Sequence, residues 1–380
     1  MNTDTCIVYL HGNDWDGVRS RQRYLLEALS EFAPVIYLDG GWDSSWGHVT
    51  IKHPTPNVTV LRGFIRVMVS FRVRNFELPS YLWARIHLGW LRRKYRRIVF
   101  IDCENWLRPY RFISYDCLIY DCIDPLFDRN PEVVADFDRC EAEILSASDA
   151  VLVTAEALKD HAAAIAKRVY LVNNACAPEE YSQELMRSAP RPEWWPQTSQ
   201  AVAVYLGAID WRFDFPFVEA AARNFTNVSF VIAGAVHPDV EGRCEDLRSM
   251  ANVIMPGRVS VEDGRYLLAN CTIGLIPFIP GEMSDAINPV KMYAYALAGK
   301  PIAGSAVREL LLRPAIAETG SSPEEFVGAV VRALERAGDP STAQQLRQFA
   351  LANTWEQRAK EVWDIIQSFP ERDSNIQRSH

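Results

Sequence analysis

Short apolar runs alternate with segments of helical period along nearly the whole chain, and no other feature limits the fold so tightly. In the first half the runs predict strands near 5–10, 34–38, 98–102, 117–121, 150–154 and 169–172. Helices are predicted there near 17–31, 80–95, 131–147 and 155–166. In the second half strands fall near 201–206, 228–233, 252–255, 272–277 and 301–304. Its helices fall near 214–224, 240–250, 260–269, 289–298, 322–337 and 341–350. Such alternation predicts an α/β chain with doubly wound parallel sheets. Residues 177–200, "APEEYSQELMRSAPRPEWWPQTSQ", break both rhythms with prolines and polar residues and read as a linker. The expected organisation is two Rossmann-like domains, 1–176 and 201–353, facing across a cleft. The amphipathic "TWEQRAKEVWDIIQSF" (354–369) is expected to pack back on the first domain.

The 380 residues suffice for two cores of ordinary size. A net charge of -8 argues against a nucleic-acid partner. The eight cysteines are scattered, with no C-x-x-C and no Cys/His cluster at zinc spacing, which predicts reduced thiols in a cytoplasmic protein and no metal centre. The chain opens polar and runs directly into "CIVYL", so no cleavable signal is read. No apolar run approaches the ~18 residues of a membrane span. Triplets such as Asn57-Val58-Thr59 therefore carry no glycosylation meaning.

One segment departs from this average. Residues 62–97, "RGFIRVMVSFRVRNFELPSYLWARIHLGWLRRKYRR", hold ten Arg/Lys and one acid, Glu77, with aromatics interleaved. A basic aromatic stretch suits an anionic membrane surface. The competing reading is a solvated helix face whose arginines pair with acids elsewhere.

Ligands of doubly wound sheets sit beyond the carboxyl ends of the strands. Four such places hold suggestive residues: "LHGNDWDGVRSRQ" (10–22), "YDCIDP" (120–125), "YLGAIDWRFD" (205–214) and "PFIPGEMSDAINPVK" (277–291). The last opens "NPVKMYAYALAGKP" (288–301), a helix with no polar face whose single charge within the helix is Lys291 in its first turn. Asn288 is expected to cap it, Pro289 to take the first helical position and Gly299 to end it. A buried lysine is costly unless it meets an anion, and a helix N-terminus adds its own positive end. A diphosphate is the expected partner; the alternative is a lysine reaching solvent at a cleft edge. Neither G-x-x-x-x-G-K-[ST] nor G-x-G-x-x-G after the first strand is present.

"AINPVKMYAYALAGKP" resembles the donor-binding helix of GT-B glycosyltransferases, which carry N-P-x-K-x-x-E-Y-x-A-x-G-K-P. The resemblance extends in matching order through "WDGVRSRQRYLLEAL", "YDCIDP", "SDAVLVTAEAL", "RVYLVNNAC", "YLGAIDWRFD" and "TWEQRA". The chain looks most like bacterial exopolysaccharide and teichuronic-acid-type transferases, including the inverting glucuronosyltransferase type of xanthan assembly. This implies a C-terminal domain that binds a nucleotide-sugar, a UDP-sugar by analogy, and an N-terminal domain that binds the acceptor, without metal or other cofactor. Retaining members carry two glutamates eight positions apart, which would fall at Ala286 and Ala294. Their loss implies inversion, and leaves the ribose contact of the second glutamate to some other group.

Inversion needs a general base on the acceptor hydroxyl. The residue matching the xanthan-type base is Asp124, whose place after four apolar strand residues predicts a raised pKa. Asp121 is its close rival and His11 the second, though an ordinary loop histidine is the better reading of the latter. On the donor side the expected residues are Lys291, Asn288, Ser284, Asp285, Gly207, Arg212 and Arg258. Arg212 has the alternative of pairing with Asp210 or Asp214. Tyr293 and Tyr295 read as core. Trp15, Arg19 and Arg21 are expected at the domain edge, where an acceptor phosphate would meet them, or as plain helix-start structure. Asp14 and Asp16, like Asp136 and Asp138, form a D-x-D that reads as chance. The expected protein is an inverting, metal-independent glycosyltransferase acting on a lipid-linked glycan at the inner face of the plasma membrane. A nucleotide-sugar epimerase and a non-catalytic binding subunit of the same fold are its rivals.

Overall fold

The first apolar run, "TCIVYLH", forms β1 (Thr5–His11), buried on both faces until His11. Such two-sided burial is what a strand central to a parallel sheet requires. The computed structural model describes residues 1–17, 19–40, 49–62, 82, 85–103, 109–111, 113–124, 131–197 and 200–370. These form two units, Met1–Asn173 together with the chain from Trp355, and Asn174–Thr354.

In the first unit β1 is followed by α1 (Arg21–Leu29), β2 (Val35–Asp39), β3 (Thr50–Thr55), β4 (Val58–Arg62), α2 (Leu91–Lys94), β5 (Arg97–Asp102), β6 (Cys117–Cys122), α3 (Pro131–Ala147), β7 (Ala150–Val153), α4 (Glu156–Ala163) and β8 (Val169–Leu171). The sheet order is β3-β4-β2-β1-β5-β6-β7-β8, parallel except for the β3–β4 hairpin. Ile7, Val8, Phe100, Ile119 and Val151 fill its middle.

The second unit holds α5 (Gln183–Ser188), β9 (Ala201–Leu206), α6 (Phe215–Asn224), β10 (Val228–Ala233), α7 (Cys244–Arg248), β11 (Val253–Gly257), α8 (Val261–Asn270), β12 (Ile273–Ile276), α9 (Glu282–Asp285), α10 (Val290–Ala298), β13 (Ile302–Ser305), α11 (Arg308–Leu311), β14 (Ala317–Gly320), α12 (Pro323–Arg336) and α13 (Pro340–Leu351). Its six strands run parallel in the order β11-β10-β9-β12-β13-β14. One apolar layer gathers Phe213, Phe215, Phe230 and Phe326; another gathers Met292, Tyr293, Tyr295 and Leu346. Side-chain caps start several helices: Asp214 accepts from the Phe217 N–H, and Ser260 and Asp263 form a capping box.

The chain then returns to the first unit as α14 (Trp355–Gln367). Trp355 stacks on Tyr24 and Trp363 on Phe32, with ring centroids 5.6 and 5.7 Å apart. Buried Arg97 donates to the carbonyls of Ile366 and Phe369 at the end of this helix. An arginine there also matches the negative end of the helix dipole.

Three features differ from expectation. Strands β3, β4 and β14 are absent from the sequence reading: the edge strands "TIKHPT" and "AETG" are too polar for an apolar-run criterion, and the apolar run of "VTVLR" is short and broken by Thr59. The expected linker is instead folded onto the second unit. Ser182 caps α5, Met186 and Trp195 are buried, and Trp195 meets Tyr266 edge-on at 5.3 Å. Of the basic segment 62–97, residues 63–81, 83 and 84 lie outside the described residues. Its described part mixes both readings: Arg62, Arg92 and Arg97 are engaged within the fold, while Leu82, Ile86 and Trp90 are exposed beside exposed Arg85, Arg93, Lys94 and Arg96. No helix among the described residues is long and apolar enough to cross a membrane.

Candidate functional site

The carboxyl ends of β9, β10 and β11 each finish in a glycine with positive φ: Gly207 (155°), Gly234 (157°) and Gly257 (79°). Their backbones lie against one another. Gly207 donates to the Ala233 carbonyl and Gly234 to that of Gly257. A Cβ on Gly234 would fall 1.8 Å from the Gly207 oxygen, so no larger residue fits.

Lys291 lies over this ledge from the first turn of α10. A Cβ on Gly207 would sit 3.1 Å from its Nζ. The ammonium donates to the Tyr205 hydroxyl at 3.3 Å and rests 4.5 Å from the ring centres of both Tyr205 and Phe278. Among the described residues it makes no ion pair. Burial, and then the positive charge of Arg212, push its pKa down from 10.5 to about 7, with Asp210 pulling back in part. Tyr205, held above its ordinary value by burial, stays protonated and donates to the Ala208 carbonyl.

The nearby loop takes the alternative offered for Arg212. Its side chain grips both oxygens of Asp210, and its backbone N–H bonds the same carboxylate at 3.0 Å. Burial works against the charged form of Asp210, yet the Arg212 bonds prevail and hold its carboxyl below the usual range. Asp214 is occupied in capping α6.

Helix α10 does not begin as expected. Pro289 occupies the cap position and Asn288 makes no cap bond. Asn288 is 1% exposed and points into a buried network instead, because Glu309 and Tyr293 claim its amide. The far end follows the reading: Gly299 is left-handed at φ 71°. Asp285 accepts from the Arg308 N–H, Ser284 is buried, and Arg258 is exposed at the end of β11. Ala286 is buried and Ala294 half-buried.

At the carboxyl edge of the first unit, Asp121 is fully buried in β6. Its oxygens accept from the Tyr9 hydroxyl at 2.7 Å and the Arg21 guanidinium at 3.3 Å. Arg21 is therefore not an edge residue; it also bonds the Asn173 carbonyl and faces the Trp355 ring. Trp15 is likewise buried, edge-on to Tyr37 at 5.2 Å, with its backbone N–H on Asp39. Arg19 pairs with Glu27 and covers Tyr24. The His11 Nδ1 accepts from the Asn13 N–H, and its Nε2 lies 2.8 Å from the Gln22 amide. Asp124 stands just past β6 and is exposed, not enclosed by the apolar surround its sequence position suggested. Asp14 and Asp16 are bridged by Arg62 of the hairpin, with Lys52 on Asp16. Asp136 pairs with Arg139.

No family model matches the chain. A protein of Bacillus subtilis (strain 168) named as a teichuronic acid biosynthesis glycosyltransferase, TuaH, is 23% identical over 259 residues, spanning 64% of each chain. Among solved structures, sucrose-phosphate synthase from Thermosynechococcus elongatus superposes with a TM-score of 0.70 at 14% identity, over 96% of this chain and 98% of that one. A trehalose-6-phosphate protein from E. coli, solved with UDP-2-fluoro glucose, gives 0.72 at 10% identity over 97% and 100%. The chain has the GT-B fold.

In this GT-B chain the sequence reading did not single out Tyr205, Phe278 or Glu309. Tyr205 lies within apolar β9 and Phe278 just past β12, and only their position against the Lys291 Nζ gives them a part. Buried Glu309, within "VREL", carries no local signal at all.

Proposed function

We propose that the chain is a glycosyltransferase that moves a sugar from a UDP-sugar to a lipid-linked glycan acceptor in bacterial surface polysaccharide synthesis, with inversion and without a metal ion. The observation that carries this reading is the Lys291 ammonium, half-buried over a glycine ledge against aromatic rings and a hydroxyl, while the carboxylate near it, Asp210, is gripped by Arg212. A diphosphate supplies the missing charge, and the first-turn N–H groups of α10 add to its binding. As the acceptor hydroxyl attacks the anomeric carbon, Asp124 takes its proton. The bond from that carbon to the diphosphate oxygen breaks, and Lys291 and the helix end receive the charge on the departing UDP. The alanines at 286 and 294 support inversion, and the name of the B. subtilis relative supports a surface polysaccharide. The test pairs a panel of UDP-sugars with a lipid-linked glycan acceptor and reads the anomeric proton of the product by NMR. An inverted glycoside is expected. A retained configuration overturns inversion, and a new sugar nucleotide formed without acceptor overturns transfer.

A lipid-linked acceptor calls for contact with the bilayer. Exposed Leu82, Ile86 and Trp90, with Arg85, Arg93, Lys94 and Arg96, offer both apolar anchors and positive charge. Cosedimentation with vesicles containing anionic lipid is expected to fall roughly tenfold or more when Ile86 and Trp90 are both changed to aspartate. Equal binding by that variant would assign these side chains elsewhere.

A further inference from the structure

Beneath the start of α10 lies a carboxylate that the transfer chemistry does not use. Glu309, in α11, is fully buried. Its Oε2 accepts from the Arg313 guanidinium at 2.9 Å and from the Asn288 amide Nδ2 at 2.5 Å. Arg313 alone would satisfy the buried charge, and a Glu–Arg pair four residues apart is ordinary helix structure. The bond to Asn288 is the additional feature, and it joins α11 to the segment that leads into the candidate donor site.

We propose that Glu309 is a positioning residue for diphosphate binding: its carboxylate sets the orientation of the Asn288 amide, and through it the start of α10 from which Lys291 reaches. This rests on the donor reading of the same site. A carboxylate only accepts hydrogen bonds, so it must face the NH2 end of Asn288. Oδ1 is then turned toward two donors, the Asn174 N–H at 3.0 Å and the Tyr293 hydroxyl at 3.1 Å. A reversed amide would set oxygen against carboxylate and NH2 against the Asn174 N–H. Asn174 also donates to the Asn288 carbonyl, at 2.7 Å. Three residues earlier, Asp285 accepts from the Arg308 N–H at 2.7 Å. The first turn of α11 thus grips the segment 285–288 at both ends. Pro289 follows with its φ restricted by its ring, then Val290, then Lys291. Tyr293 closes the loop from inside the helix, tying its first turns to the same Asn288 oxygen.

Arg313 and Asn288 share the one oxygen Oε2, so a glutamine carbonyl at that place could keep both bonds, whereas leucine at 309 removes the acceptor. The Asn288 NH2 then has no carboxylate to face. The amide is no longer held in one orientation, and its bond to the Asn174 N–H is weakened.

The test compares UDP with UMP, whose difference is the phosphate nearest the departing sugar. In E309L the affinity for UDP is expected to fall about tenfold and that for UMP less than twofold, measured by calorimetry on the folded full chain. Tyr293→Phe, which spares the Glu309–Arg313 pair, is expected to lose about threefold on UDP alone and serves if E309L does not fold. Equal losses on both nucleotides would show that Glu309 acts only on stability, and overturn the positioning role. So would unchanged affinity for both. If the unaltered protein binds neither nucleotide, the donor reading fails and this proposal with it.

Discussion

Replacing Lys291 by methionine is expected to weaken UDP-sugar binding by 30- to 1,000-fold while making the protein more stable. The first effect is the loss of one partner of a partly desolvated charge pair, worth about 2–4 kcal/mol. The second follows from the ligand-free site, where the ammonium touches two rings and a phenol and faces Arg212, while Asp210 is held by that arginine. Its folded pKa of about 7 lies below the ordinary 10.5, so the folded chain binds fewer protons than the unfolded one between these values. The penalty is complete below pH 7 and disappears as pH rises through 10.5. With allowance for partial exposure it is on the order of 2–4 kcal/mol. Urea unfolding at pH 6 and at pH 10 should show the methionine variant ahead at pH 6 and most of that lead gone at pH 10. Binding of the donor restores the proton, so the unaltered protein should lose donor affinity above pH 7, by up to about tenfold per pH unit. Equal stability of the two proteins at pH 6, or donor affinity independent of pH, would remove the charge argument.

Replacing Asp124 by asparagine is expected to reduce transfer about 10²- to 10⁴-fold, the usual yield of a general base, and to leave UDP binding unchanged. Asp121→Asn should behave differently. That carboxylate is buried between Arg21 and Tyr9, and its loss leaves an unpaired buried guanidinium, a defect of about 3–5 kcal/mol. Thermal unfolding together with initial rates separates the two cases. The D124N variant should melt like the original and be inactive; the D121N variant should melt early. Full activity of a folded D124N variant would return the base to His11 or to another side chain.

Most of the frame was legible in the sequence because a strand buried on both faces must be largely apolar, as "CIVYL", "IVFI" and "FVIA" are. The hairpin that neutralises Asp14 and Asp16 was not legible, since its outer strand is exposed and carries a proline. On the donor side Lys291 and Gly207 were read from position alone, and the structure places one over the other. Asn288 misled: its identity suits a helix cap, and only the fold reveals that an acid twenty-one residues later holds it. Trp15 and Arg21 misled for a related reason. Sequence places them where a strand meets a helix, but an aromatic or an arginine at such a corner can turn inward, and here both do.

The three glycines at the ends of β9, β10 and β11 restrict how such a chain can change over evolutionary time. A ledge of backbone offers no side chain to exchange, and at Gly234 even a methyl group collides with the neighbouring carbonyl. Change in what this region binds must therefore act around the ledge rather than on it. Arg258 and Val290 are exposed and lie outside that crowding, so substitutions there are expected to be tolerated where one at Gly234 is not.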